Sequence, residues 1–188
     1  LFGGRLPAPN LKTLAGLTNY VEEHGCDIGI ATDGDADRLG VIDDKAEFLH
    51  PNKILVLLYY YLMRYRGWRG AAVRNLATTH LLDRIAEDFG ETCYEVPVGF
   101  KYVSAKMVET GAIIGGESSG GLTVRGHIQG KDGIYAAALL VEAIAKTGRR
   151  LSALWDEITQ KYGAAEMAEH DFHFSSAERT RIFKLLME

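Results

Sequence analysis

Between residues 71 and 162 short apolar runs alternate with longer segments of helical periodicity, and a chain patterned this way has few ways to fold. Residues 71–76, 93–98 and 112–115 read as buried strands. Residues 79–89 read as a helix with Leu82, Ile85 and Phe89 on one face, and 102–109 as a second helix. A glycine-rich stretch from 115 to 133 reads as a loop. It leads into a helix whose Ile134, Ala137, Val141 and Ile144 are expected to face inward, and 151–162 is one more helix. Strands spaced by helices predict an α/β fold with a mixed, largely parallel sheet covered by helices on both faces. Ligands on such sheets sit beyond the carboxyl ends of the strands, and the acidic and glycine-rich loops singled out below are expected at that edge.

The first fifty residues are organised differently. Leu11, Leu14, Leu17 and Val21 give a helix over 11–24, ended by Gly25. Residues 26–32 and 39–42 read as strands on either side of an acidic loop. Pro51 opens a helix to about residue 66. Its three consecutive tyrosines, Tyr59 to Tyr61, cannot all face inward on one helix, so one or two are expected at a domain contact. Trp68 and Trp155 are expected to be packing residues. Residues 164–174 read as a strand leading elsewhere, and Ser175 with Glu178 forms a capping box for a last helix.

Bulk properties exclude several classes. A net charge of −4 argues against a nucleic-acid surface. The longest apolar run, 54–63, is too short to span a bilayer. Cys26 and Cys93 form no disulfide or zinc pattern and, with no signal peptide in view, fit a reducing cytoplasm. The chain opens on Leu1 in what reads as mid-loop and stops at Glu188 inside a helical pattern, so it reads as a fragment.

Asp33-Gly34-Asp35-Ala36-Asp37-Arg38 carries the most specific chemistry. Alternate side chains of an extended loop point the same way, so three carboxylates converge and repel unless a cation lies between them. Mg²⁺ suits such a site, being hard and ready to share its shell with a phosphate. Arg38 offers a planar fork for a phosphate or a carboxylate. A solvated acidic turn is the plainer alternative. An EF-hand loop wants Gly at its sixth position and Glu at its twelfth, where Arg38 and Asp44 stand. A haloacid-dehalogenase-type phosphatase wants Thr or Val where Asp37 stands.

Two further loops add to the picture. Gly115-Gly116-Glu117-Ser118-Ser119-Gly120-Gly121 combines backbone freedom with a carboxylate and two hydroxyls that can bond vicinal sugar hydroxyls. Pro97-Val98-Gly99-Phe100-Lys101-Tyr102 puts a lysine at a helix N-terminus, where anions bind. Read alone, these are a glycine-rich turn and a surface lysine.

Residues 29–38 resemble the metal loop of the α-D-phosphohexomutases, the family of phosphoglucomutase and phosphomannomutase. Residues 115–121 are similar to the family's G-E-x-S-G sugar loop, and Gly99-Phe100-Lys101 to its G-[FW]-K loop. The resemblance implies that Asp33, Asp35 and Asp37 hold Mg²⁺ and that Arg38 lies near the reacting phosphate. It implies that Glu117 and Ser119 grip hexose hydroxyls, and that Gly99 and Lys101 approach the substrate phosphate, Lys101 with a possible part in proton transfer. Gly121 stands where some mannose-accepting members have histidine, which leans toward phosphoglucomutase. Asn75 and Lys131-Asp132-Gly133 also look family-like, the latter mainly as a helix start.

The resemblance further implies that 1–46 is the end of a second domain, 47–162 a third, and 163–188 the entry to a fourth. The partners expected are a hexose phosphate and the remaining domains of the same enzyme. In the family a phosphoserine of the first domain exchanges a phosphoryl group with the sugar. No T-x-S-H-N-P-type segment occurs in these 188 residues, nor an R-x-S-G-T-type phosphate loop, so the chain alone is expected to be inactive and to hold Mg²⁺ weakly. Two other readings remain: a non-catalytic α/β module that binds phosphosugar or a partner, and a Mg²⁺-dependent phosphatase.

Overall fold

The computed structural model describes residues 4, 6–165, 168 and 174–187. Helix α1 (Ala15–His24) is followed by strands β1 (Gly29–Thr32), β2 (Leu39–Ile42) and β3 (Phe48–Leu49). These strands form an antiparallel meander in the order β1-β2-β3. Leu14 and Val21 pack against Ile42 to close a small core beneath it. Leu11 stays outside, 63% exposed, because the helix begins four residues later than its apolar spacing suggests.

Helix α2 (Pro51–Arg64) follows, with Pro51 at its start and the His50 ring capping Asn52 N–H at 3.1 Å. Every residue from Ile54 to Met63 is buried, the three tyrosines included. No domain contact is needed to cover them. Helices α3 (Leu81–Asp88), α5 (Gly133–Thr147) and α6 (Leu151–Tyr162) surround α2, so every face of it meets protein. The phenol groups still reach polar partners: Tyr59 donates to the Gly70 carbonyl, Tyr60 to Glu157 and Tyr61 to Glu142.

The second sheet has the order β5-β4-β6-β7. Strand β4 (Ala72–Asn75) lies at its centre and runs parallel to β5 (Cys93–Val96) and β6 (Ile114–Gly116). Strand β7 (Leu122–Val124) returns antiparallel to β6. This three-residue strand sits inside the stretch read from sequence as one glycine-rich loop, too short to show a period of its own. Ala72 and Ile114 face the large core built on α2, α3, α5 and α6, while Val73 and Val96 face Val103 and Met107 of helix α4 (Phe100–Thr110). Both faces are therefore covered, as the alternating pattern predicts.

Helix α5 buries a different stripe from the expected one. Ala136, Leu139, Leu140 and Ala143 face the core, while Ile134 and Val141 are 66% and 48% exposed. Both stripes have helical spacing, and on a helix this apolar all round the period cannot choose between them. The strand expected at 164–174 lies for the most part outside the described residues. Helix α7 (Ser176–Met187) starts with the expected capping box: Ser175 N–H donates to Glu178 at 2.9 Å and Glu178 N–H to Ser175 Oγ at 3.3 Å. Among the described residues, no helix is long and apolar enough to cross a membrane.

Candidate functional site

The acidic loop is the turn of the β1–β2 hairpin, not a loop on the carboxyl edge of the parallel sheet. The loops singled out from the sequence thus come from two different sheets. Within the turn, Ala36 N–H donates to the Asp33 carbonyl, and Ala36 itself adopts a left-handed conformation, φ +60°. One carboxylate oxygen each from Asp33, Asp35 and Asp37 falls within 4.8 Å of the others. Asp33 is buried, Asp37 half-buried and Asp35 exposed. An all-oxygen set of three carboxylates this close suits a hard divalent cation such as Mg²⁺.

Arg38 ties the loop together. Its Nε donates to Asp33 Oδ2 at 2.6 Å and lies 3.6 Å from Asp37 Oδ1, and its backbone N–H donates to Asp33 Oδ1 at 3.1 Å. Burial pushes the Asp33 carboxyl up, but these bonds from Arg38 outweigh it and hold the group below the usual carboxylate range.

The acidic loop rests on the start of α5. Gly133 N–H donates to the Ala36 carbonyl at 2.9 Å, and a methyl group on Gly133 would lie 2.9 Å from the Arg38 carbonyl oxygen. Asp132 caps α5 by accepting from Tyr135 N–H at 2.8 Å, so the helix start read at 131–133 is correct. The residue before the cap does more than start a helix. Lys131 Nζ lies 3.4 Å from Asp37 Oδ2 and 3.7 Å from Glu117 Oε2, and so bridges the acidic loop and the glycine-rich loop at 115–121. Its stem crosses Gly121 so closely that a Cβ there would collide with Lys131 Cδ. Any side chain at 121 would displace this lysine.

The glycine-rich loop at 115–121 is a tight turn, closed by Gly120 N–H to the Glu117 carbonyl and Glu117 N–H to the Gly121 carbonyl. Glu117 is buried and its Oε1 accepts from Asn75 Nδ2 at 3.1 Å and from Gly99 N–H at 3.0 Å. Ser119 is exposed. Gly99 thus joins the cluster through its backbone, whereas Lys101 is exposed with its Nζ over the Tyr102 ring, 4.8 Å from the centroid. The structure therefore brings together Asp33, Asp35, Asp37, Arg38, Glu117 and Gly99, adds Lys131 and Asn75, and leaves the Lys101 side chain outside their contacts. The sequence marks Asn75 and Lys131 as family-like but assigns neither to the site, because the contacts of Lys131 with Asp37 and Glu117 depend on packing.

A cleft of about 550 Å³ lies nearby, lined by His50, Lys53, Thr79, His80 and Trp155 among others. It meets the cluster through Thr78, whose hydroxyl donates to Asn75 Oδ1 at 2.8 Å. The metal-type carboxylates and Glu117 are not part of its lining. His80 Nδ1 lies 2.8 Å from Arg74 Nη2, a contact that belongs to the buried Arg74 ion-pair network with Asp83 and Glu95.

Residues 50–162 match the family profile of phosphoglucomutase/phosphomannomutase, alpha/beta/alpha domain III, and residues 1–46 match that of domain II. The chain belongs to the α-D-phosphohexomutase family. A phosphoglucomutase/phosphomannomutase of Thermococcus kodakarensis is 37% identical over 86% of this chain and 35% of its own length. Phosphoglucomutase 1 of Drosophila melanogaster is 32% identical over 91% of this chain and 31% of its own length. Among solved structures, a Thermus thermophilus protein assigned as a phosphomannomutase superposes with a TM-score of 0.82 at 38% identity, covering 87% of this chain and 37% of that one. The chain thus spans about a third of the length of these relatives. A more distant phosphohexomutase fold is N-acetylphosphoglucosamine mutase of Aspergillus fumigatus, solved with GlcNAc-6P and magnesium. It superposes with a TM-score of 0.52 at 16% identity, over 79% of this chain and 41% of that one.

Proposed function

We propose that this chain forms the metal-binding and sugar-binding part of a Mg²⁺-dependent phosphohexomutase that interconverts hexose 1-phosphates and hexose 6-phosphates. Glucose phosphates are the preferred substrates in this reading and mannose phosphates the second. The observation that carries it is the approach of the acidic loop to the glycine-rich loop through Lys131, which sets a cluster of three carboxylates beside the hydrogen-bonding Glu117. The A. fumigatus relative, with its magnesium and sugar phosphate, supports the choice of metal and ligand class.

In this reading Asp33, Asp35 and Asp37 hold Mg²⁺, which supplies charge stabilisation for the transferring phosphoryl group when bound. Glu117 accepts hydrogen bonds from vicinal sugar hydroxyls, and the exposed Ser119 hydroxyl adds a second contact. Gly99 holds Glu117 through its own N–H, and the N–H groups that follow it at the start of α4 are offered to the substrate phosphate. Arg38 and Lys131 are fixed cations at the rim of the cradle, where they offset phosphate charge without reorganising. Lys101 reaches the phosphate by leaving the Tyr102 ring, or acts in proton transfer from there. The phosphoserine lies outside these 188 residues, residues 163–188 lead into a fourth domain, and the enzyme works in the cytoplasm.

A coupled mutase assay tests this on the full-length gene product, with Mg²⁺, glucose 1-phosphate and glucose 1,6-bisphosphate. The double variant E117A/S119A is expected to lose about a hundredfold in kcat/KM, the scale of two or three lost polar contacts to substrate. The 188-residue chain alone is expected to show no turnover. A full-length product inactive on glucose, mannose and glucosamine phosphates would refute the reading.

A further inference from the structure

Glu117 owes its orientation to a neighbour on the next strand. Strands β4 and β6 are parallel with Arg74 opposite Gly116, so Asn75, the last residue of β4, and Glu117, the first residue after β6, lie side by side. Both are buried, at 2% and 7% exposure, and so is Thr78 at 3%. Buried polar groups of this kind are held by the bonds they make.

The direction of the Asn75 carboxamide is set by its surroundings. Its Oδ1 accepts from Ala77 N–H at 3.0 Å and from Thr78 Oγ1 at 2.8 Å. A backbone N–H can only donate, so the oxygen must face Ala77 and the amide nitrogen must face Glu117. That nitrogen donates to Glu117 Oε1 at 3.1 Å, and Gly99 N–H donates to the same oxygen at 3.0 Å. Two donors thus match the two lone pairs that Oε1 can offer. Oε2 is the oxygen on the Lys131 side, 3.7 Å from its Nζ.

The geometry points to Asn75 as a positioning residue for the sugar-gripping carboxylate: it saturates Glu117 Oε1 and fixes the side chain so that Oε2 alone is presented to the hexose hydroxyls. This rests on the reading of Glu117 given above. Asn75 does not touch the sugar. It acts by holding one rotamer of Glu117, which would otherwise have to be ordered each time substrate binds.

Asn75→Asp isolates this contact. The aspartate keeps an oxygen toward Ala77 and Thr78, so the turn after β4 is preserved, but it sets a second oxygen against Glu117 Oε1 where a donor had been. The assay is the KM for glucose 1-phosphate, with Mg²⁺ and glucose 1,6-bisphosphate, in the full-length gene product and three variants: N75D, E117A and N75D/E117A. With Glu117 present, N75D is expected to raise KM by about tenfold. In the E117A background there is no carboxylate to misplace, and the same change is expected to raise KM by less than about twofold. Asn75→Ala carries the same cycle should the aspartate variant fail to fold. An equal rise in both backgrounds, or an unchanged KM beside Glu117, overturns the positioning role while leaving the sugar grip standing. An E117A variant with the parent's KM overturns the grip itself, and the positioning role with it.

Discussion

Replacing Gly133 by alanine sets two effects of opposite sign against each other. Gly133 is the first residue of α5, and exchanging glycine for alanine in a helix stabilises it by up to about 1 kcal/mol. Against this, the new methyl would lie 2.9 Å from the Arg38 carbonyl oxygen and 3.0 Å from that of Ala36. Both are backbone atoms of the acidic loop and cannot swing aside as a side chain could. The loop must back away, straining the bond from Gly133 N–H to the Ala36 carbonyl. Overpacking of this kind costs about 1–3 kcal/mol, so the net effect is a destabilisation of up to about 2 kcal/mol. For a chain of this size that lowers Tm by up to about 8 °C. Gly16 supplies the control. It lies in α1 with nothing within 4 Å of a built Cβ, so Gly16→Ala is expected to leave Tm unchanged or raise it. Thermal unfolding followed by far-UV circular dichroism reads both. If G133A raised Tm as G16A does, the acidic loop would not be seated on α5, and the account of how the two loops come together would fail.

Leu58 is fully buried at the centre of α2, so Leu58→Ala is expected to cost about 2–5 kcal/mol in urea unfolding. Asp132→Ala removes the α5 cap and is expected to cost about 1 kcal/mol near neutral pH. The Tyr135 backbone N–H and His127 hold the Asp132 carboxyl below its ordinary value of 3.8, so its contribution is complete above that pH and is lost as the pH falls through the lower folded value. The gap between parent and D132A should therefore close on acidification, as measured by unfolding at pH 7 and pH 3.

Much of the candidate site was legible because its chemistry is local. Three acids alternating after an apolar strand predict a carboxylate cluster whatever the surrounding topology, and the structure brings their oxygens within 4.8 Å of one another. Glu117 stands out as the one carboxylate of a glycine-rich turn. Several features were not legible because they depend on packing. The sequence cannot show that Lys131 turns back over Gly121, since that contact needs the β7 return, which is three residues long. It cannot show that the acidic hairpin belongs to a separate antiparallel sheet, because a short β-hairpin and a βα unit open with the same apolar run. The α2 tyrosines and the α5 stripe went astray for one shared reason: on a helix apolar all round, burial is decided by neighbours rather than by period.

The central claim is that the acidic loop and the sugar loop share one site. A Mn²⁺ titration followed by paramagnetic broadening of backbone amide signals tests it most directly. The account predicts early broadening at residues 33–38, then at 117–121 and 131–133, with α7 unaffected and the whole effect abolished in D35N/D37N. Broadening centred on other carboxylates, such as Asp156 and Glu157, or broadening at 33–38 that never reaches the sugar loop, would contradict it.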